Sequence, residues 1–195
     1  MQRLQSESSI LQFITSTDPA DHYLVKFHGV GVWRSEVSNR IEVRHSHEVR
    51  IILGAGYPRM MPELHWQTPI FHPNVSASGI VCLGGYGTHW VPSLSLDELC
   101  EMLWDMVRYK NFDPGSPYNR EAAMWARSQT DYRLPLDNRS LRDLIARGVV
   151  APGGNRPASA KKPAGEVLFL DEVVDAEPVD EPTQRPKTDD VLFIE

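Results

Sequence analysis

The sequence predicts an α+β fold: an N-terminal helix, a four-stranded antiparallel meander, C-terminal helices, and then a disordered acidic tail. Three observations predict it. Residues 22–53 alternate and are rich in Val, Ile, Tyr, Phe and Trp, the composition of half-buried strands. From residue 96 onward Leu96, Leu99, Cys100, Leu103, Met106 and Val107 recur at helical spacing. Residues 151–195 hold ten acidic residues against five basic ones, and six of the fifteen prolines, which reads as a chain with too little apolar surface to fold alone.

The elements follow in order. Residues 3–15 read as a helix with Leu4, Leu11 and Ile14 on one side. Strands are expected at 22–32, 41–45, 48–53 and 63–67. Residues 69–92 have no period and are dense in Gly, Pro, Asn and Ser. They also contain Cys82, Leu83 and Trp90. A long irregular stretch with apolar content inside a compact domain is a functional loop before it is anything else. Ser95 with Glu98 three residues later is a capping-box signature for the next helix, whose apolar stripe is core with Trp104 partly exposed. Asn119 is the expected cap of a helix over 120–130. A last helix lies near 140–147 and is stopped by Gly148. Helices on one face and at the ends of an antiparallel sheet complete the α+β layout.

Composition excludes several classes. With 195 residues the chain makes one domain, residues 1–148, followed by the tail 149–195. No apolar run is long enough for a membrane span, and the first residues have no signal-peptide core, so a cytoplasmic protein without a membrane partner is expected. Two cysteines, Cys82 and Cys100, make no disulfide scaffold. A net charge of −6 gives no basic field for nucleic acid. His45 and His47 share a strand face but lack further ligands at zinc spacing, so no metal is assigned. No phosphate-cradling glycine loop of Walker or dinucleotide type occurs, and no cofactor is expected. The tail repeats one pattern: Val167, Leu168, Phe169 and Leu170, then Val191, Leu192, Phe193 and Ile194, each run flanked by acids. Such runs add as a strand to a partner's sheet edge, dock on their own domain, or have no role.

Several motifs then converge on one family. Tyr57-Pro58-Arg59-Met60-Met61-Pro62 resembles the Tyr-Pro-x-x-Pro-Pro turn of ubiquitin-conjugating enzymes. Ile70-Phe71-His72-Pro73-Asn74 resembles their His-Pro-Asn motif, and Gly79-Ile80-Val81-Cys82-Leu83 resembles the segment around their active-site cysteine. Cys82 follows Asn74 by eight residues, and Trp90, before Val91-Pro92, follows Cys82 by eight more. Asn111-Phe112-Asp113-Pro114 through Asn119, and Glu121-Ala122-Ala123, also look like the family. The resemblance covers about residues 1–148 and implies the family's fold.

It also implies chemistry. Cysteine suits an acyl carrier, because its thiolate both attacks and leaves readily. The resemblance makes Cys82 the nucleophile, which accepts a ubiquitin-like modifier from an activating enzyme and passes it to an amine or hydroxyl of a target protein, with a ligase where the pathway uses one. Cys100, on an apolar helix face, reads as a structural cysteine. Asn74 either stabilises the oxyanion or orders the loop around the cysteine. His72 and Pro73 shape the catalytic loop, and Trp90 anchors it. Many members carry an acid before the proline of the loop that receives the acceptor; here that gate position is Ser116, before Pro117. Acyl activation by ATP falls to another protein.

The chain also departs from the pattern. Met61 stands for the first proline of the Pro-Pro pair, Arg3 is the only base in the first helix, and the loop 83–89 carries Gly84, Gly85 and Gly87 without an acid. With the acidic tail, these departures point to a divergent bacterial member of a ubiquitin-like pathway, for which anti-phage defence is a fitting setting. The alternative is a non-catalytic variant that binds a modifier or serves as a scaffold. A hydrolase is disfavoured because no histidine is identifiable as its general base.

Overall fold

The structure, a computed structural model, describes residues 1–16, 18–83 and 90–149. The loop 84–89, the tail beyond residue 149 and its two apolar runs at 167–170 and 191–194 lie outside the described residues. Among the described residues the elements run α1 (Gln2–Ser6), β1 (Leu11–Thr15), β2 (His22–Arg34), β3 (Ile41–Ile52), β4 (Glu63–Trp66), α2 (Leu96–Val107), α3 (Arg120–Ser128) and α4 (Asp143–Ala146). The strands form one antiparallel sheet in the order β1-β2-β3-β4. The α+β class and the four-stranded meander are as the sequence predicts.

The helix expected over residues 3–15 is not formed. It stops at Ser6, and Leu11–Thr15 becomes the first strand, paired with Phe27 through Tyr23. Ser8 causes the break. Its hydroxyl accepts the backbone N–H groups of Ile10 and Leu11, both at 3.0 Å, and so offers the backbone a turn in place of helix continuation. The following Leu-Gln-Phe-Ile-Thr is a strand-forming run, and Ile14, expected on the helix's apolar side, is 66% exposed. The strands expected at 41–45 and 48–53 are one, because Ser46 and His47 continue the ladder against His28 and Phe27. The meander therefore has four strands with a different membership from the one expected. The last helix is also shorter than expected, at Asp143–Ala146. Asp143 is tied back to the N-terminal region, accepting the Ser9 N–H at 2.8 Å and the Ser9 hydroxyl at 2.7 Å.

One face of the sheet and the apolar stripe of α2 make the core. Val25 and Phe27 of β2, Val49 and Ile51 of β3, and Leu64 and Trp66 of β4 alternate inward by strand period. They meet Leu99, Cys100, Leu103, Trp104 and Val107 of α2. Trp104 is fully buried, not partly exposed as its sequence position suggested. Its ring stacks on Phe27 at 6.1 Å, and its indole N–H donates to the Arg139 carbonyl at 2.9 Å. A bulge in β2 between His28 and Gly31 brings Gly29 beneath it, where a Cβ would lie 2.2 Å from the indole. The capping box is present in both directions: Ser95 accepts from the Glu98 N–H, and the Glu98 carboxylate accepts from the Ser95 N–H. Ser95→Ala is expected to lower stability by about 1 kcal/mol, measured by denaturant unfolding; an unchanged midpoint would show that water caps α2 equally well.

Candidate active site

The site is built on the irregular segment after β4. Residues 65–82 fold back on themselves as a narrow loop. The Trp66 N–H donates to Gly79 O at 2.7 Å, the Ser76 N–H to Ile80 O at 2.9 Å, and the Cys82 N–H to Asn74 O at 2.8 Å. Isolated bridges join His65 to Ile80 and Val75 to Val81. The eight-residue interval between Asn74 and Cys82 is thus the length of a reversal that sets the two side by side. Gly79 makes the reversal possible. Its φ is +85°, and a Cβ there would stand 2.3 Å from the Trp66 carbonyl oxygen. Gly79→Ala is expected to cost at least about 1–2 kcal/mol from the left-handed backbone alone, read as a lowered unfolding midpoint; no change would mean that the reversal tolerates another backbone conformation.

His72 lies under this loop, fully buried. Its Nδ1 accepts the Asn74 N–H at 3.1 Å, so the ring is neutral with its proton on Nε2. Burial pushes its pKa down to about 3, with the Asn111 backbone pulling weakly the other way. A histidine held neutral and away from solvent shapes the loop; it is not placed to shuttle protons. The ring packs edge-on against Tyr109 at 4.9 Å, and Tyr109 meets Phe112 and Trp125 at 5.3 and 5.4 Å. The Tyr109 hydroxyl donates to Phe71 O. Burial raises that phenol's pKa, so Tyr109 stays a donor. This aromatic cluster joins the 71–74 segment to α3.

The Asn74 amide is 4% exposed and clamps the loop before α3. Its Oδ1 accepts the Asp113 N–H at 2.7 Å, and its Nδ2 donates to Asp113 O at 3.2 Å. At the far end of that loop the Asn119 N–H donates to Pro73 O at 2.9 Å, and the Asn119 side chain caps α3 by accepting from Ala122 at 3.0 Å. The loop 113–119 is therefore fixed at both ends to the segment that also holds the Cys82 N–H. Ser116 is exposed on it, as is Tyr118. Trp90 returns the chain from the other side, donating its indole N–H to Pro58 O at 2.7 Å. That bond ties it to the Tyr57-Pro58 turn.

The two cysteines have different surroundings. Cys100 is fully buried on α2, and burial pushes its thiol up to about 12. Cys82 is partly exposed, between buried Val81 and Leu83. The charge of a Cys82 thiolate, and next a side-chain hydrogen bond to Cys82, hold the Tyr118 phenol above its ordinary pKa. Reasoning from sequence passed over Tyr118, which is marked only by its place after the proline of the gate loop. Elsewhere, His45 is exposed while His47 is fully buried on the same strand, with burial pushing it down to about 4. Among the described residues no group of three or more His, Cys, Asp or Glu side chains is arranged to hold a metal ion, and no helix is long and apolar enough to cross a membrane.

A family model described as ubiquitin-conjugating enzyme matches residues 43–136, a stretch that contains His72, Pro73, Asn74, Cys82, Trp90 and Ser116 but not the tail runs at 167–170 and 191–194. The chain is 39% identical over 74 residues to the ubiquitin-conjugating enzyme E2 16 of Schizosaccharomyces pombe, across 37% of this chain and 45% of that one. It is 28% identical over 89 residues to the SUMO-conjugating enzyme UBC9 of Caenorhabditis elegans, across 44% of this chain and 52% of that one. It is 30% identical over 132 residues to the ubiquitin-conjugating enzyme E2 6 of Arabidopsis thaliana, across 63% of each. The chain spans about half the length of the curated relatives it matches.

Proposed function

We propose that the chain is a member of the ubiquitin-conjugating enzyme family, whose model matches residues 43–136, and that it carries a ubiquitin-like modifier as a thioester on Cys82 and transfers it to a target protein. The observation that carries this reading is the contrast between the two thiols. Cys82 is reachable at the end of a rigid reversal, while Cys100 is sealed in the core with its thiol pushed up to about 12. In the first half of the cycle the Cys82 thiolate attacks the carbonyl carbon of the activating enzyme's thioester and expels that enzyme's cysteine. In the second, an amine or hydroxyl attacks the new thioester and expels Cys82. Asn74 assists by fixing the loop that faces the thioester, and its remaining amide hydrogen is available to the oxyanion. Ser116 occupies the gate through which the acceptor enters. A hydroxyl there contributes no charge to deprotonate a lysine.

The partners of this reading are an activating enzyme, a modifier, a target and, where the pathway uses one, a ligase, in the cytoplasm. The acidic tail, with its runs at 167–170 and 191–194, serves to hold the modifier or the activating enzyme. Met61, the acid-free loop 83–89 and the tail support a divergent bacterial pathway, with anti-phage defence as its setting. The test mixes the protein with its activating enzyme, modifier and ATP and resolves it on a non-reducing gel beside Cys82→Ala. A thiol-sensitive adduct missing from the variant is expected. No adduct beside a demonstrably charged activating enzyme would replace the carrier with a binding or scaffold protein.

A further inference from the structure

We propose that Arg127 is a positioning residue for transfer: its guanidinium braces the loop 113–119 in the form that admits an acceptor amine to the Cys82 thioester. The inference deepens the proposed carrier role of Cys82 and rests on it.

Three observations carry it. The first is how the loop is tied. Its two ends hang on the segment that also holds the Cys82 N–H: Asn74 takes Asp113 by the paired bonds, and Pro73 O takes the Asn119 N–H. Between those ends Pro114 and Pro117 have no N–H, and the Gly115 N–H is used inside the loop, on the Asp113 carboxylate at 2.7 Å. The second is the brace itself. Arg127 Nη2 donates to Pro114 O at 2.8 Å. Among the described residues this is the one hydrogen bond that reaches the backbone of residues 114–118 from outside the loop. The third is the platform from which Arg127 reaches. It stands in the last turn of α3, where a cation suits the helix's C-terminal end. Two residues earlier, Trp125 meets Phe71 at 5.8 Å, Tyr109 at 5.4 Å and Tyr132 at 5.7 Å. Glu121 in the first turn pairs with Arg34, whose guanidinium lies 4.4 Å from the centre of the Phe71 ring. Helix α3 is therefore fixed to the residue that precedes His72. Arg127 carries that anchorage into the loop, two residues before Ser116.

The role follows from the chemistry of a charged fork. A guanidinium bonds a neutral carbonyl more strongly than an amide does, and its planar donors are directed. A loop tied only at its ends samples arrangements that misalign the acceptor, and the apparent affinity for that acceptor falls with the fraction of competent loop. In transfer the amine nitrogen bonds to the carbonyl carbon, the C–S bond breaks, the amine's proton passes to water and Cys82 leaves as a thiolate. Arg127 acts on none of these atoms. It acts on the path by which the amine arrives, so charging of Cys82 and attack by a nucleophile too small to need the path do not depend on it.

The test needs no partner protein. A short peptide ending in Gly-Gly as a mercaptoethanesulfonate thioester is exchanged onto the full chain. Mass spectrometry follows the adduct as it discharges to free lysine or to hydroxylamine. Wild type is expected to be acylated and Cys82→Ala not. Arg127→Met, an unbranched replacement at an exposed position, is expected to charge and to discharge to hydroxylamine at wild-type rates. Its discharge to lysine is expected to be about fivefold slower, short of the about 10²-fold that a full ångström of misplacement costs, because both loop ends stay tied. Arg127→Lys, which restores a cationic donor, is expected to recover most of the lysine rate, acylation of the new side chain being read separately as a mass that thiol does not remove. Lysine and hydroxylamine rates that fall together would make Arg127 a structural residue and overturn the positioning role. Lysine discharge that is unchanged, or faster because a repelling charge is gone, would overturn it too and leave Cys82 as the carrier. An adduct on Cys82→Ala would overturn the carrier itself, and Arg127 with it.

Discussion

Cys82→Ser, incubated with the activating enzyme, modifier and ATP, is expected to form an adduct that survives thiol reductant and is cleaved by hydroxide, where the wild-type adduct is lost to either. Serine keeps the position and the small side chain, so the backbone bond from residue 82 to Asn74 O is untouched. What changes is the leaving group. A thiolate is stable enough to depart near neutral pH, while an alkoxide is not, so the oxygen ester accumulates instead of turning over. Transfer to an acceptor is expected to fall by at least about 10³-fold, the scale on which losing a covalent nucleophile is felt in other acyl-transfer enzymes. The measurement is a paired gel, with and without reductant, alongside single-turnover discharge. Cys100→Ser is the control and is expected to leave both readings unchanged, because its sulfur is fully buried. A reductant-sensitive adduct on Cys82→Ser that disappears in Cys100→Ser would move the chemistry to the helix.

The parts of this site legible in the sequence are those held by local backbone geometry. Asn74 and Cys82 stand eight residues apart because the reversal at Gly79 between them has a fixed length. Helix α2 was legible from its capping box and stripe, since both signals lie within the element. The N-terminal segment misled because Leu4, Leu11 and Ile14 fit a helical period, while the deciding interaction is a single serine hydroxyl turning the backbone at Ile10 and Leu11. The full burial of Trp104 depends on Gly29 and Arg139, both distant along the chain, and no local pattern reports them. Tyr118 was hidden for the same reason. Cys82 acts on its phenol across a long stretch of chain, from a segment whose Asn74 amide holds the loop carrying Tyr118, and a tyrosine in a polar loop is otherwise unremarked.

Acidification from pH 7 to pH 5 is expected to destabilise the domain by about 4 kcal/mol, through two buried histidines and without help from any carboxylate. His72 is pushed down to about 3 by burial, opposed by the Asn111 backbone. His47 is pushed down to about 4 by burial and by the Arg44 and His45 charges, opposed by the Arg44 and Gly29 backbones. Unfolded histidine titrates near 6.5. Above that value both states are neutral and stability does not depend on these groups. Below it the unfolded chain takes up protons that the folded one refuses, so stability falls with falling pH until the folded values near 4 and 3 are reached. The slope approaches about 1.4 kcal/mol per pH unit for each histidine. The shifted carboxylates enter only at lower pH. Glu7 is held down by its bond from Arg3 and Glu98 by those from Ser95. In Asp97 and Asp137 burial pulls upward and is outweighed by the Met1 amine and by Arg139. Against a total stability of about 5–15 kcal/mol for an ordinary domain, the loss is large. It weakens the packing beneath the 71–74 segment, where His72 holds the Asn74 N–H. Guanidinium unfolding at pH 7, 6 and 5 measures it, and His47→Gln is expected to halve the pH dependence whatever it does to the midpoint at pH 7. A stability that stays flat from pH 7 to 5 would mean that both rings are reached by water and charged in the folded state, and the neutral, buried His72 on which the catalytic loop is built would have to be abandoned.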